Sequence, residues 1–311
     1  MAASPRLRLV ACVLGVAALQ VPTSACSARD AVPLQARPAP AAARAVVWTE
    51  DVHGEGEHSY FLDATGHVLE ERKGLAMYDG STLLTAERRE ETVPTSDCGD
   101  SVKATGASDA VPPAAGVGAS SSLYLVSDVG DELRVLPAPR PDHAVQAFQS
   151  VVDLTGSAGP YLFLRQTTYV LTCGGMGSVA VQSFVWDVAH HKLAPRSAMF
   201  PDDASLEGRA QRALSADAED DERARESPSD QRFTEILPTL SRDGDLALSV
   251  RFVAPTSYAG TRGGWSSNTR SVFVPAKTLP AALVGFAVAP EPVRTFVRAQ
   301  LAPVRGYSTR P

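Results

Sequence analysis

The run HGEGEH gathers His53, Glu55, Glu57 and His58, all side chains able to bind a metal. Zinc hydrolases place two histidines one helical turn apart, so that both share a face with a general-base glutamate. Here the spacing is different and Gly54 and Gly56 disfavour a helix, so the run predicts a solvated loop and no metal ligand. Gly175, Gly177 and Ala180 in GGMGSVA have the spacing of a dinucleotide-binding turn, which works only where a helix follows and aims its amides at the pyrophosphate. SVAVQSFVW follows instead, and it is a β-forming run. Asp187 with His190 offers part of a catalytic triad, but no serine sits on a nucleophile elbow. The acidic run Asp217–Glu222 lacks the central glycine and distal glutamate of a calcium loop. No catalytic residue and no cofactor is therefore assigned. The candidate ligand-binding residues are Trp265 and Tyr258, from the loop 255–270, and Gly174, Gly175 and Met176 at a sharp turn. Trp265 is either a packed anchor or an exposed binding residue.

That turn belongs to the most legible element, a long hairpin in Tyr161–Phe200. Two runs rich in β-branched and aromatic residues flank CGGMG, whose glycines can supply the positive φ of a reversal. His190 and His191 are expected in the turn at its far end.

The chain has 311 residues, 44% of them hydrophobic, with a formal net charge of −6. That is enough for one large or two modest domains. Without a Lys/Arg-rich run, nucleic acid is excluded as a partner. Residues 1–25 read as a secretory signal: Arg6 and Arg8, the apolar run Leu9–Leu19, then small residues before Cys26. The apolar run is about 11 residues, against the ~20 a membrane-spanning helix needs.

Thr23-Ser24-Ala25-Cys26 resembles a bacterial lipoprotein box, departing from it at Thr23, where an aliphatic residue is usual. The resemblance implies acylation of Cys26, by palmitate or a similar chain, and a membrane partner through that lipid. The alternative is plain cleavage after Ala25. Cys26, Cys98 and Cys173 remain in the mature chain; if Cys26 is acylated, Cys98 and Cys173 are left as a disulfide pair or as two free thiols.

Residues 26–45 are rich in Ala, Pro and Arg and read as a tether, able to reach ~55 Å at the polyproline rise. A β-meander is expected over 46–103, ending in the charged ERREET and the loop holding Cys98. Residues 104–122 read as a flexible loop or linker, and 123–311 as a C-terminal α+β domain in close contact with the meander. Within it, SLYLVS and ELRVLP form a hairpin, and Leu206, Ala210 and Leu214 mark one face of a helix capped by Asp202 or Asp203. Leu246, Leu248, Val250 and Phe252 alternate as in a half-buried strand. Thr278 is expected to cap a short helix lined by Leu279, Leu283 and Phe286, and PEPVRTFVRAQ to give a last helical segment. The fold class is α+β, mainly antiparallel sheet of meander and hairpins, with two or three short helices in the C-terminal half. FLDATGHVL, LAMYDGSTLL and FVWDVAHHKL share a propeller-like rhythm, but at irregular spacing.

The run from Tyr161 to Leu283 resembles an extracytoplasmic bacterial domain found in lysozyme-sensing anti-sigma factors and beside peptidoglycan deacetylase catalytic domains. The resemblance rests on Gly174 and Gly175, FVWDVAHHKL, AMFPDD before Leu206, LSRDGDLALSVRFVAPTSYAG and VFVPAKTLPAAL. Met176 stands where that family carries alanine followed by histidine. The resemblance implies a binding or sensing module at the cell envelope, periplasmic or at the cell surface, taking an envelope protein or a cell-wall ligand.

Overall fold

Strands form where β-branched, aromatic and alternating residues run together. The computed structural model describes residues 37–50, 57–96, 117–173, 177–195, 199, 200, 206, 208, 209, 212, 232–254, 268–300 and 302–311. In chain order its strands are β1 (Ala45–Glu50), β2 (Glu57–Leu62), β3 (Val68–Lys73), β4 (Ala76–Asp79), β5 (Thr82–Pro94), β6 (Val117–Ser127), β7 (Glu132–Leu136), β8 (Val145–Ala158), β9 (Tyr161–Thr172) and β10 (Gly177–Asp187). They continue with β11 (Lys192–Ala194), β12 (Arg232–Leu240), β13 (Leu246–Ala254), β14 (Asn268–Val274) and β15 (Val304–Thr309). Two 3₁₀ turns, Ala276–Thr278 and Ala281–Phe286, precede one α-helix, α1 (Glu291–Ala299). The coarse expectation of a mainly antiparallel β protein with few helices holds.

The strands make three sheets. The first has the order β15-β1-β2-β3, the second β11-β10-β9-β8-β6-β5-β4 with β7 on β6, and the third β12-β13-β14. Every pairing is antiparallel except a short parallel one between β6 and β8, at Ala119 opposite Gln149 and Ser120 opposite Ser150. The second sheet curls on itself. Met77 of β4 and Trp186 of β10, from strands near its two ends, share a buried cluster with Leu125, Leu136, Val152 and Leu164. His191 Nε2, beyond β10, lies 3.7 Å from Asp79 Oδ2 at the end of β4.

The largest core lies between the third sheet, β1, β15 and one end of the β8–β10 layer. Ile236, Leu246, Leu248, Val250, Val272 and Val274 point into it, the alternation expected of β13. Helix α1 closes this core. Its Val293, Phe296 and Val297 recur at i, i+3 and i+4 and are all buried, each worth about 1.5–3 kcal/mol of burial. Phe296 meets Tyr60 with ring centroids 5.1 Å apart.

Several expectations need correcting. The charged ERREET does not end the meander; it lies inside β5, which pairs with β6 from Leu84 opposite Ser127 to Pro94 opposite Val117. Alternation lets Arg88 and Glu90 face water, while Arg89 is held by Glu87 and Glu132 and lies 4.2 Å over the Tyr124 ring. Of the stretch read as a linker, 117–122 are the first half of β6; the rest lies outside the described residues. Its serines are buried because backbone carbonyls accept their hydroxyls: Ser120 donates to Pro139, Ser121 to Ser150 and Ser122 to Arg89. The end of the tether is docked, with Ala43 fully buried and Arg72 donating to the carbonyls of Arg37 and Pro38. Thr278 caps nothing: its hydroxyl donates back to the Pro275 carbonyl, and the turn holding Leu283 starts after Pro280 with no side-chain cap. The helical stretch after Phe200 is described only in part, with Leu206 buried in the main core.

Candidate functional site

Where the three sheets meet, three strands each carry an extra residue. In β8, Leu154 pairs with Leu164 and Gly156 with Phe163, leaving Thr155 as the bulged residue. In β15, Gly306 faces Trp48 and Val304 faces Thr49, so Arg305 is the extra one. In β12 the register shifts between Phe233 and Glu235, just before Glu235. Bulges bend a strand and re-aim its side chains, and they gather beside functional sites. These three converge on a cleft of about 210 Å³ lined by Thr155, Arg305 and Glu235 with Trp48, Glu57, Asp153, Leu154, Arg165 and Leu237.

The cleft is built on a ladder of alternating charge. Asp153 and Arg165 sit opposite each other on β8 and β9, and Arg165 Nη2 donates to Asp153 Oδ2 at 3.0 Å. Arg165 Nη1 reaches across sheets to Glu235 Oε1 at 2.8 Å. The other oxygen of Glu235 is 2.7 Å from Arg251 Nη1, its direct neighbour on β13. At the far end Arg88 of β5 donates to Asp153 Oδ1 at 3.1 Å. Glu235 is only 3% exposed; two guanidinium partners make that burial tolerable, since a buried carboxylate needs both charge and hydrogen-bond compensation.

Neutral groups fix the rest. The Thr155 hydroxyl lies 2.6 Å from the Ile236 carbonyl and 3.0 Å from that of Phe163, tying β8 to β12. Arg305 Nη1 donates to Thr239 Oγ1 at 3.0 Å. Close approach is allowed by glycine: a Cβ on Gly156 would lie 1.9 Å from Pro238 Cγ. Glu57 stands at the rim, at the start of β2, with no ion-pair partner among the described residues. The wall thus offers carboxylates and guanidiniums side by side, and its hydroxyl is committed to backbone carbonyls. It is suited to holding a polar group with both signs of charge.

Most of the residues singled out from sequence are not among those described. Cys26, Cys98, Gly174, Gly175, Met176, Tyr258 and Trp265 lie outside the described residues, as do His53 and Glu55. His58 is engaged by Glu71, Nδ1 to Oε1 2.7 Å. Among the described residues no group of three or more His, Cys, Asp or Glu is placed to hold a metal. Asp187 and His190 do meet, but as a turn lock: the buried carboxylate accepts from the His190 backbone N–H at 3.2 Å and pairs with Nδ1 at 2.8 Å. His191 completes the reversal at φ 51°. Cys173, just past β9, is disulfide-bonded. Of the cleft residues the sequence points only to Glu57, and there within a run that predicts a solvated loop and no metal ligand. The cleft's other members come from five strands, three from β8, two from β12 and one each from β1, β9 and β15, and no local pattern joins them.

No protein-family model matches this sequence, and no curated protein matches it. Among solved structures it is similar to a DUF3298 family protein from Pseudomonas aeruginosa PAO1, with 14% identity, a TM-score of 0.33, and coverage of 67% of this chain and 96% of that one. A likeness that distant carries neither fold nor function across. Among the described residues no helix is long and apolar enough to cross a membrane.

Proposed function

We propose that this chain is a lipid-anchored protein of the bacterial envelope, acylated on Cys26, that binds or senses a cell-wall or envelope ligand and acts by binding rather than catalysis. The observation that carries the binding reading is the convergence of three bulges on one charged cleft. Bulges cost ladder hydrogen bonds, and three sheets giving them up around one hollow fits a site more readily than a packing need. Six register shifts occur among the described strands, and half of them are here.

The ligand chemistry follows from the wall. Glu57 at the rim suits a cationic group, and the guanidinium of Arg305 suits a carboxylate. A zwitterionic, peptide-like group carries both, as the stem peptides of cell wall do. The test is calorimetric titration of the full chain in detergent with soluble muropeptides. Binding that Glu57→Gln and Arg305→Gln each weaken about tenfold, 1.4 kcal/mol, supports the reading; absence of any binding heat removes it. The anchor is tested separately, by intact mass and by loss of palmitate labelling in Cys26→Ala.

A further inference from the structure

We infer that the cleft continues onto an aromatic shelf at Phe273, and that the shelf takes a pyranose ring joined covalently to the group held in the cleft; this rests on the binding reading of the cleft. Phe273 is 62% exposed, and the other exposed large apolar side chains among the described residues are valines and leucines. A lone exposed apolar residue is ordinary. Its place in the sheet is what gives this one a use.

Side chains directly opposite one another on paired strands leave the same face of the sheet. Leu237 of β12 is paired with Ser249 of β13, and Ser249 with Phe273 of β14. The three make one row, and its first member lines the cleft. The next row sets Arg251 opposite Glu235, and Glu235 lines the cleft too. The opposite face of this sheet belongs to the main core, through Ile236, Leu248, Val250, Val272 and Val274. Phe273 therefore stands on the cleft's side of the third sheet, two strand spacings or about 10 Å from Leu237. Its neighbours there are polar: Ser249 is half-buried, and the Arg251 side chain, paired with Glu235, is 39% exposed.

A flat ring open to water among polar neighbours suits one kind of group. An aliphatic side chain would need apolar walls on several sides, which a hydroxyl and a guanidinium do not make. A pyranose has a C–H face, whose weakly positive hydrogens meet the negative face of an aromatic ring, and a rim of hydroxyls that serine and arginine can bond. The separation selects further. About 10 Å is the span of about three extended residues, so a sugar bearing a short peptide fills shelf and cleft together.

The test is calorimetric titration of the full chain in detergent with two ligands, a soluble muropeptide and its stem peptide without the sugar. Three forms are compared: the unaltered chain, Phe273→Ala and Phe273→Trp. The unaltered chain and Phe273→Trp should hold the muropeptide about tenfold more tightly than the peptide. Phe273→Ala should bind the two alike, with its peptide affinity and its thermal transition unchanged. Equal affinity of the unaltered chain for both ligands, an alanine variant that keeps the preference, or one that loses peptide affinity as well, overturns the inference and leaves the reading of the cleft standing. No binding of either ligand removes both.

Discussion

The indole Nε1 of Trp48 donates to Ser157 Oγ at 3.0 Å, joining β1 of the first sheet to β8 of the second. Both residues are 2% exposed, so the bond is shielded from water and both polar atoms depend on it. It passes against Gly306, where a Cβ would lie 1.9 Å from Ser157 Oγ and 2.3 Å from Trp48 Nε1. Glycine is there because the indole and the hydroxyl occupy the space of a side chain.

Gly306→Ala should therefore destabilise the protein, by about 1–3 kcal/mol for an overpacked site. A urea transition at lower midpoint with unchanged slope is the expected result. A variant as stable as the parent would mean that the sheets separate freely at this point.

Removing the carboxylate of Glu235 leaves Arg165 and Arg251 facing each other. Breaking a fully buried pair costs about 3–5 kcal/mol. The arginine side chains are 33% and 39% exposed and solvent screens them, so Glu235→Gln should cost about 2 kcal/mol. Raised salt should recover part of the loss in a denaturation series.

Burial raises the phenol pKa values of Tyr307 and Tyr78 above the ordinary tyrosine range. A group whose folded value is raised gives its full stabilisation below the unfolded value, and loses it as pH climbs from there through the folded value. Stability should accordingly fall above pH ~10. Tyr307→Phe should flatten that alkaline fall in pH-dependent melting. The Tyr78 hydroxyl has no hydrogen-bond partner among the described residues, so Tyr78→Phe should be neutral or stabilising by up to about 1 kcal/mol at pH 7.

Cys98 is the expected partner of Cys173. Non-reducing peptide mapping of the mature protein should yield a Cys98–Cys173 cross-linked peptide. Closing a loop of about 75 residues gives on the order of 4 kcal/mol by chain entropy, and Cys98→Ser should lower the thermal midpoint accordingly. An alkylatable Cys98 beside a Cys173 bound elsewhere would refute the pairing.

The hairpin of β9 and β10 was legible because uninterrupted β-forming runs flank a glycine cluster. β8, which joins the two halves of the second sheet, carries no such signal: Gln146, Gln149, Ser150, Asp153 and Thr155 break up its apolar residues, and two of its polar members line the cleft. β15 is illegible for a related reason, since VRGYST is short and its glycine is explained by the Trp48 indole and the Ser157 hydroxyl, both far away in sequence. Bulges leave no mark in the periodicity, because the extra residue shifts phase without changing composition. The cleft was thus hidden in the phase errors of strands that were otherwise ordinary.

β1 lies between β2 and β15, so the earliest strand of the body is a neighbour of the last. During synthesis or export β1 emerges with one side bare and keeps it bare until nearly the whole chain has followed. Loop closure of that length makes the pairing late. Until then Trp48 has no lid and the charged hollow lacks Arg305. The charged cleft is therefore complete only once β15 has paired with β1, and a nascent chain arrested before Val304 should lack it.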